Sequence, residues 1–163
     1  MAVRLTIWAA TLAWVSGEWR RGAPGASATS GRTAWTLGAV AAVAHAVLAY
    51  HVHYRWSHAA ALADTARQTA AVTGLDWGGG LYVNYAFITF WTADVAWWWR
   101  AAASFARRPA WLDAAIRLFL WFMFVNGAFL FVRGPRRWAG AAAAVAVGAA
   151  WYRGRGRKDV GNG

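Results

Sequence analysis

Five apolar stretches occupy most of this chain of 163 residues, at 3–16, 34–54, 81–99, 112–132 and 138–152. Several approach or reach the ~20 residues needed to cross a hydrocarbon core about 30 Å thick. What lies between them is too short to fold as a water-soluble domain, so lipid is the expected solvent for most of the chain. Backbone groups in lipid must be satisfied within each segment, which leaves helices as the spanning form. The polar–apolar alternation of a membrane barrel is absent. The expected fold is all-α: a polytopic integral membrane bundle of about five transmembrane helices, with four as the alternative.

Composition agrees. Apolar residues make up 60% of the chain and charged residues 14%, against about 25% charged in an ordinary soluble domain. There are 14 tryptophans, many at segment ends: Trp35, Trp56, Trp77, Trp97, Trp98, Trp99, Trp111, Trp138 and Trp151. Amphipathic rings favour the headgroup level, so an interfacial aromatic belt with packing roles is expected. The net charge of +11 does not point to nucleic acid, because the arginines cluster where segments end, as topology signals do. All the basic residues but Lys158 are arginine, a bias expected of a GC-rich bacterial genome. Cysteine is absent, so neither disulfides nor thiolate metal sites are available.

Residues 1–152 form one expected membrane-embedded helical domain, and residues 153–163 a basic, disordered cytoplasmic tail suited to anionic lipid headgroups. The first segment, with Arg4 at its start, resembles a signal peptide. Glu18-Trp19-Arg20-Arg21 then stands where a small-residue cleavage site should lie, so an uncleaved first helix is expected. The second segment continues into an amphipathic extension at 56–72, carrying His58, Asp64, Arg67 and Gln68. It is too polar to cross and is expected to lie at the surface. Gly74 and Gly78-Gly79-Gly80 end it. The fourth segment opens with Asp113 and Arg117 at i,i+4, and the Ala/Gly-rich fifth suits close helix contact.

Arginine placement orients the bundle. Arg20, Arg21 and Arg32, then Arg100, Arg107 and Arg108, then Arg153, Arg155, Arg157 and Lys158 fall on one side of a five-span chain, which is the cytoplasmic side by the positive-inside rule. The N-terminus and loop 55–80 then face outward, into the periplasm of a bacterial inner membrane. Arg133, Arg136 and Arg137 in the turn at 133–137 run against this placement.

Ionisable groups inside a span cost about 2.5–3.5 kcal/mol each on insertion scales, so each needs a reason. All four histidines lie between His45 and His58. His51, His53 and His58 are the candidate ligands of a metal ion or haem. Their spacing is unfavourable on a continuous helix: His51 and His58 share a face but lie about 10.5 Å apart along the axis, and His53 points roughly 160° from His51. A bend near Arg55–Ser57 is therefore required for joint ligation. The alternatives are half-buried interfacial imidazoles or a proton-relay role. Asp94, about 20 Å along the third segment, is matched in depth with His45, about 13–14 Å below Tyr54 in the second, as a buried polar pair. Tyr50 and Tyr54 share the depth of Tyr82, Asn84 and Tyr85 across the hairpin and are expected to line an outward polar pocket.

No catalytic motif is present. Gly78-Gly79-Gly80 lacks the Lys and Ser/Thr of a phosphate loop. Adjacent Ser57 and His58 do not face each other on a helix. The expectation is a small multi-pass membrane protein with a structural or accessory role, packing on lipids or other membrane proteins and not on nucleic acid. A metal- or haem-binding redox component and a proton-linked enzyme or transporter are the alternatives. Without a catalytic motif, the expectation leans away from an enzyme but leaves it open.

Overall fold

The computed structural model describes residues 2–21, 28–132 and 134–160. Every regular element among them is helical: α1 (Ala2–Arg21), α2 (Ala28–Ala49), α3 (His58–Thr73), α4 (Gly80–Arg100), α5 (Ala102–Ala106), α6 (Ala110–Val125) and α7 (Arg136–Val160). A π-helical turn at Tyr50–Tyr54 prolongs α2, and another at Asn126–Leu130 prolongs α6.

Five of these helices are long, and they close on one another. α1 packs against α2 and α7, α2 against α4, α4 against α6, and α6 against α7. Consecutive members run antiparallel. In α1 and α2, for example, Val3 meets His45 while Gly17 meets Trp35. Because the number of long helices is odd, one neighbouring pair must be parallel. It is α1 and α7, whose C-terminal ends meet where the Trp151 indole donates to Glu18.

Aromatic rings fill the space between the helices. Trp14, Trp35, Trp91 and Leu120 are fully buried, and Phe124 nearly so. Trp14 stacks on Phe124 with centroids 4.1 Å apart, and Trp91 meets Trp35 and Phe124 at 5.5 and 5.7 Å. Rings this large need sockets, and glycines supply them. A Cβ on Gly38 would fall 2.6 Å from the Trp91 ring, and one on Gly17 would fall 3.3 Å from Trp35. The tryptophans are thus divided. Trp56, Trp77, Trp99, Trp111 and Trp138 are exposed near helix ends, as a belt requires. Trp35, expected in that belt, is buried instead, because its indole N–H has a carboxylate to reach.

Several boundaries differ from those the pattern suggests. The expected extension of helix 2 is a separate helix, because Arg55 (φ 48°) and Trp56 (φ 64°) are left-handed and break the hydrogen-bond ladder. The short α5 was not foreseen. α7 carries the basic segment expected to be a disordered tail as helix to Val160, consistent with the good helix propensity of Arg and Lys. Residues 22–27, which include most of the first loop, and 161–163 lie outside the described residues.

Two stretches, Thr29–Tyr54 and Ala110–Leu130, are long and apolar enough to cross a membrane, each with a mean hydropathy of 1.4. The expected five spans are thus matched by this measure at two. The other three long helices are diluted by particular residues: Arg4, Glu18, Arg20 and Arg21 in α1, tryptophan, tyrosine and Asp94 in α4, and terminal arginines in α7.

Candidate functional site

The chain is most irregular where α2 ends. Its last turn, Tyr50–Tyr54, is a π-turn, a form that recurs at functional sites. Two consecutive left-handed residues follow, Arg55 and Trp56. For bulky side chains that conformation is an outlier, held only when surrounding contacts over-determine it. The contacts are present. Trp56 N–H donates to the Tyr50 carbonyl at 3.1 Å, and Ser57 caps α3 by accepting from the Ala60 N–H at 3.2 Å. The chain thereby reverses, and His58 becomes the first residue of α3.

This reversal aims the His58 imidazole at α4. Tyr82 and Tyr85 are three residues apart on one face of its first turns, so both reach the ring. The Tyr85 hydroxyl lies 3.0 Å from Nδ1, and the Tyr82 hydroxyl 3.5 Å from Nε2. The Tyr50 hydroxyl, 3.5 Å from Nδ1, is also hydrogen-bonded to Tyr85. One imidazole and three phenols thus form a hydrogen-bonding cluster at the surface of the bundle. On the other side of α3, Tyr54 donates to Asp64 at 2.9 Å, and Arg67 and Gln68 bond the same carboxylate at 2.8 Å. Partial desolvation raises the Asp64 pKa, but the three hydrogen bonds and the Arg67 charge outweigh it and hold the carboxyl below its ordinary value.

Glycines let α3 approach α4 closely. A Cβ on Gly78 would fall 2.9 Å from the Leu62 carbonyl oxygen, and one on Gly79 would overlap the Trp77 ring. The triple glycine is a packing surface for α3 as well as a turn. An open groove of about 780 Å³ remains between α3 and the 77–83 segment.

Of the expected outward pocket, Tyr50, Tyr82 and Tyr85 converge on His58, Tyr54 turns to Asp64, and Asn84 is exposed. The bend at Arg55–Ser57 required for joint ligation exists, yet it does not assemble the three histidines. His51 lies beside Trp56 and His53 beside Tyr54, and no group of three His, Asp or Glu among the described residues is placed to hold a metal. His45 and Asp94 are not paired either. His45 Nδ1 donates to the Val3 carbonyl at 2.9 Å, fastening the start of α1.

Asp94 belongs to a second polar assembly, at the opposite end of the bundle. It accepts from the Trp35 indole at 2.8 Å and from Arg108, which also bonds Asp113. Asp113 in turn meets Arg117 at 3.3 Å, the pairing their i,i+4 spacing suggests. Arg117 and the Trp151 indole both bond Glu18. The Arg21 guanidinium stacks over Trp35 and Trp98 at 4.2 and 4.6 Å. Three carboxylates and three guanidiniums therefore tie together all five long helices. Glu18, Arg21 and Arg108 drew attention in the sequence only as flanking charges. Depth along the helices places His45 nearest Asp94, but the reach of Arg108 from the α5–α6 connection supplies the partner instead.

With this geometry in view, the chain matches no known protein family, no curated protein and no solved structure.

Proposed function

We propose that this chain is a five-span protein of a bacterial inner membrane that works as an accessory binding subunit through its outward end. The observation that carries the membrane reading is an inside-out distribution of polarity. Glu18 and Asp94 are 1% and 3% exposed, whereas Leu12, Leu37, Val40 and Phe90 are all more than half exposed. Water as solvent would favour the opposite arrangement. The two most apolar helical stretches are also only 22% and 11% buried, which suits helices whose outer faces meet lipid and not the core helices of a soluble protein.

The arrangement of the long helices supports the same topology. The ends holding Arg20, Arg21, Arg100, Arg107 and Arg108 lie together, on the side read as cytoplasmic. Loop 55–80, with α3, lies at the other end and faces outward. At this outward site no carboxylate touches His58, and the Ser57 hydroxyl oxygen is occupied as a helix cap. The cluster is suited to hydrogen-bonding a ligand and lacks a positioned nucleophile–base pair, so binding is the favoured role over catalysis.

The absence of native cysteine makes the topology directly testable. Ala71→Cys in α3 should react with a membrane-impermeant maleimide from outside intact cells. Ala103→Cys in α5 should react only after permeabilisation. Release of the protein by alkaline carbonate, or labelling of both positions from one side, would overturn the reading.

A further inference from the structure

The groove between α3 and the start of α4 differs in chemistry from the rest of the outward end. One wall is made by Ala59, Ala63 and Ala66, successive positions on one face of α3, with Leu62 beside them. The other is made by Trp77, two glycines and Tyr82. The alanine methyl groups fill little of this space, and the volume of about 780 Å³ falls in the range of small-molecule sites. No charged side chain lines it. The nearby charges, Asp64 and Arg67, border a different hollow and neutralise each other. An occupant bearing a phosphate or carboxylate would enter without a counter-ion, so an uncharged one is favoured.

Polar atoms gather at a single place along the groove. Tyr82 lines it, and the Tyr82 hydroxyl lies 3.5 Å from His58 Nε2. That contact is long enough to leave capacity on both atoms. On the other side of the imidazole, Tyr85 reaches Nδ1 at 3.0 Å. When Tyr85 donates there, the neutral ring carries its proton on Nε2. Two donors, His58 Nε2–H and Tyr82 O–H, are then available side by side. A carbonyl oxygen with two lone pairs fits them. Exposed Trp77 and Tyr82 rings flank the same space and offer faces to a flat head.

We propose that this groove binds a neutral quinone-type amphiphile, with its apolar tail along the alanine wall and one ring carbonyl accepting from Tyr82 and His58. The inference rests on the membrane setting and the outward placement of α3 proposed above. It concerns binding alone and requires no electron transfer.

The test uses the full chain in phosphatidylcholine nanodiscs titrated with a decyl-substituted benzoquinone, followed by quenching of tryptophan fluorescence. Saturable quenching is expected, lost in large part in Trp77→Phe. Ala63→Leu, at an exposed position on α3, should fill the groove and weaken binding by about tenfold or more. Tyr82→Phe and His58→Gln should each weaken it by about fivefold, the value of one hydrogen bond. Far-UV circular dichroism and size exclusion confirm that each variant is folded. Quenching no greater than simple partitioning into the bilayer would overturn the proposal, as would binding indifferent to Ala63→Leu. Equal competition by decanoate would refute the uncharged site, and equal competition by a diacylglycerol would replace the quinone with a lipid ester. A chain that labels at Ala71→Cys from outside yet binds no quinone loses this inference alone. A chain that fails the labelling loses the topology.

Discussion

The two ends of this bundle hold their polar groups by opposite means. At the end where α1 and α7 finish, ions are buried: Glu18 and Asp94 are almost wholly enclosed, and each is met by an arginine and an indole N–H. At the end where α2 turns into α3, exposed His58, Tyr82 and Tyr85 and half-buried Tyr50 are joined by hydrogen bonds, two of which are 3.5 Å long. The first arrangement is costly to disturb, because removing one partner strands the other in a low dielectric. The second leaves donors and acceptors able to change partners. One end holds the helices in register, and the other is the end for which we propose a binding role.

The difference predicts very unequal responses to mutation. The largest effect is expected from Asp94→Ala, which leaves the Trp35 indole without its acceptor and Arg108 with Asp113 alone. Breaking such a buried pair should lower stability by about 3–5 kcal/mol in detergent-based denaturation. A loss below about 1 kcal/mol, the ordinary worth of an exposed pair, would break the comparison.

Next comes the core between the two ends. Gly38→Ala places a methyl against the enclosed Trp91 ring, and overpacking of this kind costs roughly 1–3 kcal/mol. Thermal denaturation would read it, and a neutral result would mean that the ring has room to shift.

Smaller and local effects are expected where α2 turns into α3. Ser57→Ala removes the α3 cap, and about 1 kcal/mol of local stability should be lost. Hydrogen exchange in the first turn of α3 should quicken while the ionic end is unaffected. Conversely, Arg55→Gly relieves one left-handed residue and should slow exchange there by a gain of about 1 kcal/mol. If both substitutions altered exchange throughout the bundle, the two ends would be coupled and not independent.

The smallest effect is one of pH. Asp64 has a lowered pKa in the folded protein, so its stabilising contribution is present above the unfolded carboxylate pKa. It is lost as pH falls through the lower, folded value. A spin label at Ala71→Cys should therefore gain mobility only below the ordinary carboxylate range. Mobility rising above neutral pH would contradict the role given to the Tyr54–Asp64 bond.

The legible part of the fold follows from local chemistry. Apolar runs of adequate length, arginines at their ends and glycine or proline between them announce helices and their order; four of the five expected segments lie wholly within helices, and the one at 112–132 is helical as far as Leu130. Of the expected pocket, the approach of Tyr50 to Tyr82 and Tyr85 was legible from their shared depth on two antiparallel helices, whereas the joining of His58 to them and the turning of Tyr54 to Asp64 were not. The break after Tyr54 was hardly legible. Neither arginine nor tryptophan marks a left-handed turn in the way glycine or asparagine does, and here the turn is held by contacts such as those of Trp56 with Tyr50 and His51.

What the sequence determined by itself is the helical periodicity, the expected lipid environment and the distribution of charge along the chain. Each depends on the composition of a segment and not on its neighbours. The tertiary structure decided the partners. Glu18 meets Arg117 across 99 positions of sequence, and Asp94 takes Arg108 and Trp35 in place of His45. The three candidate histidines point to three different surroundings. Which charges neutralise one another depends on helix rotation, crossing and side-chain reach, and these are properties of the assembled bundle that no single segment contains.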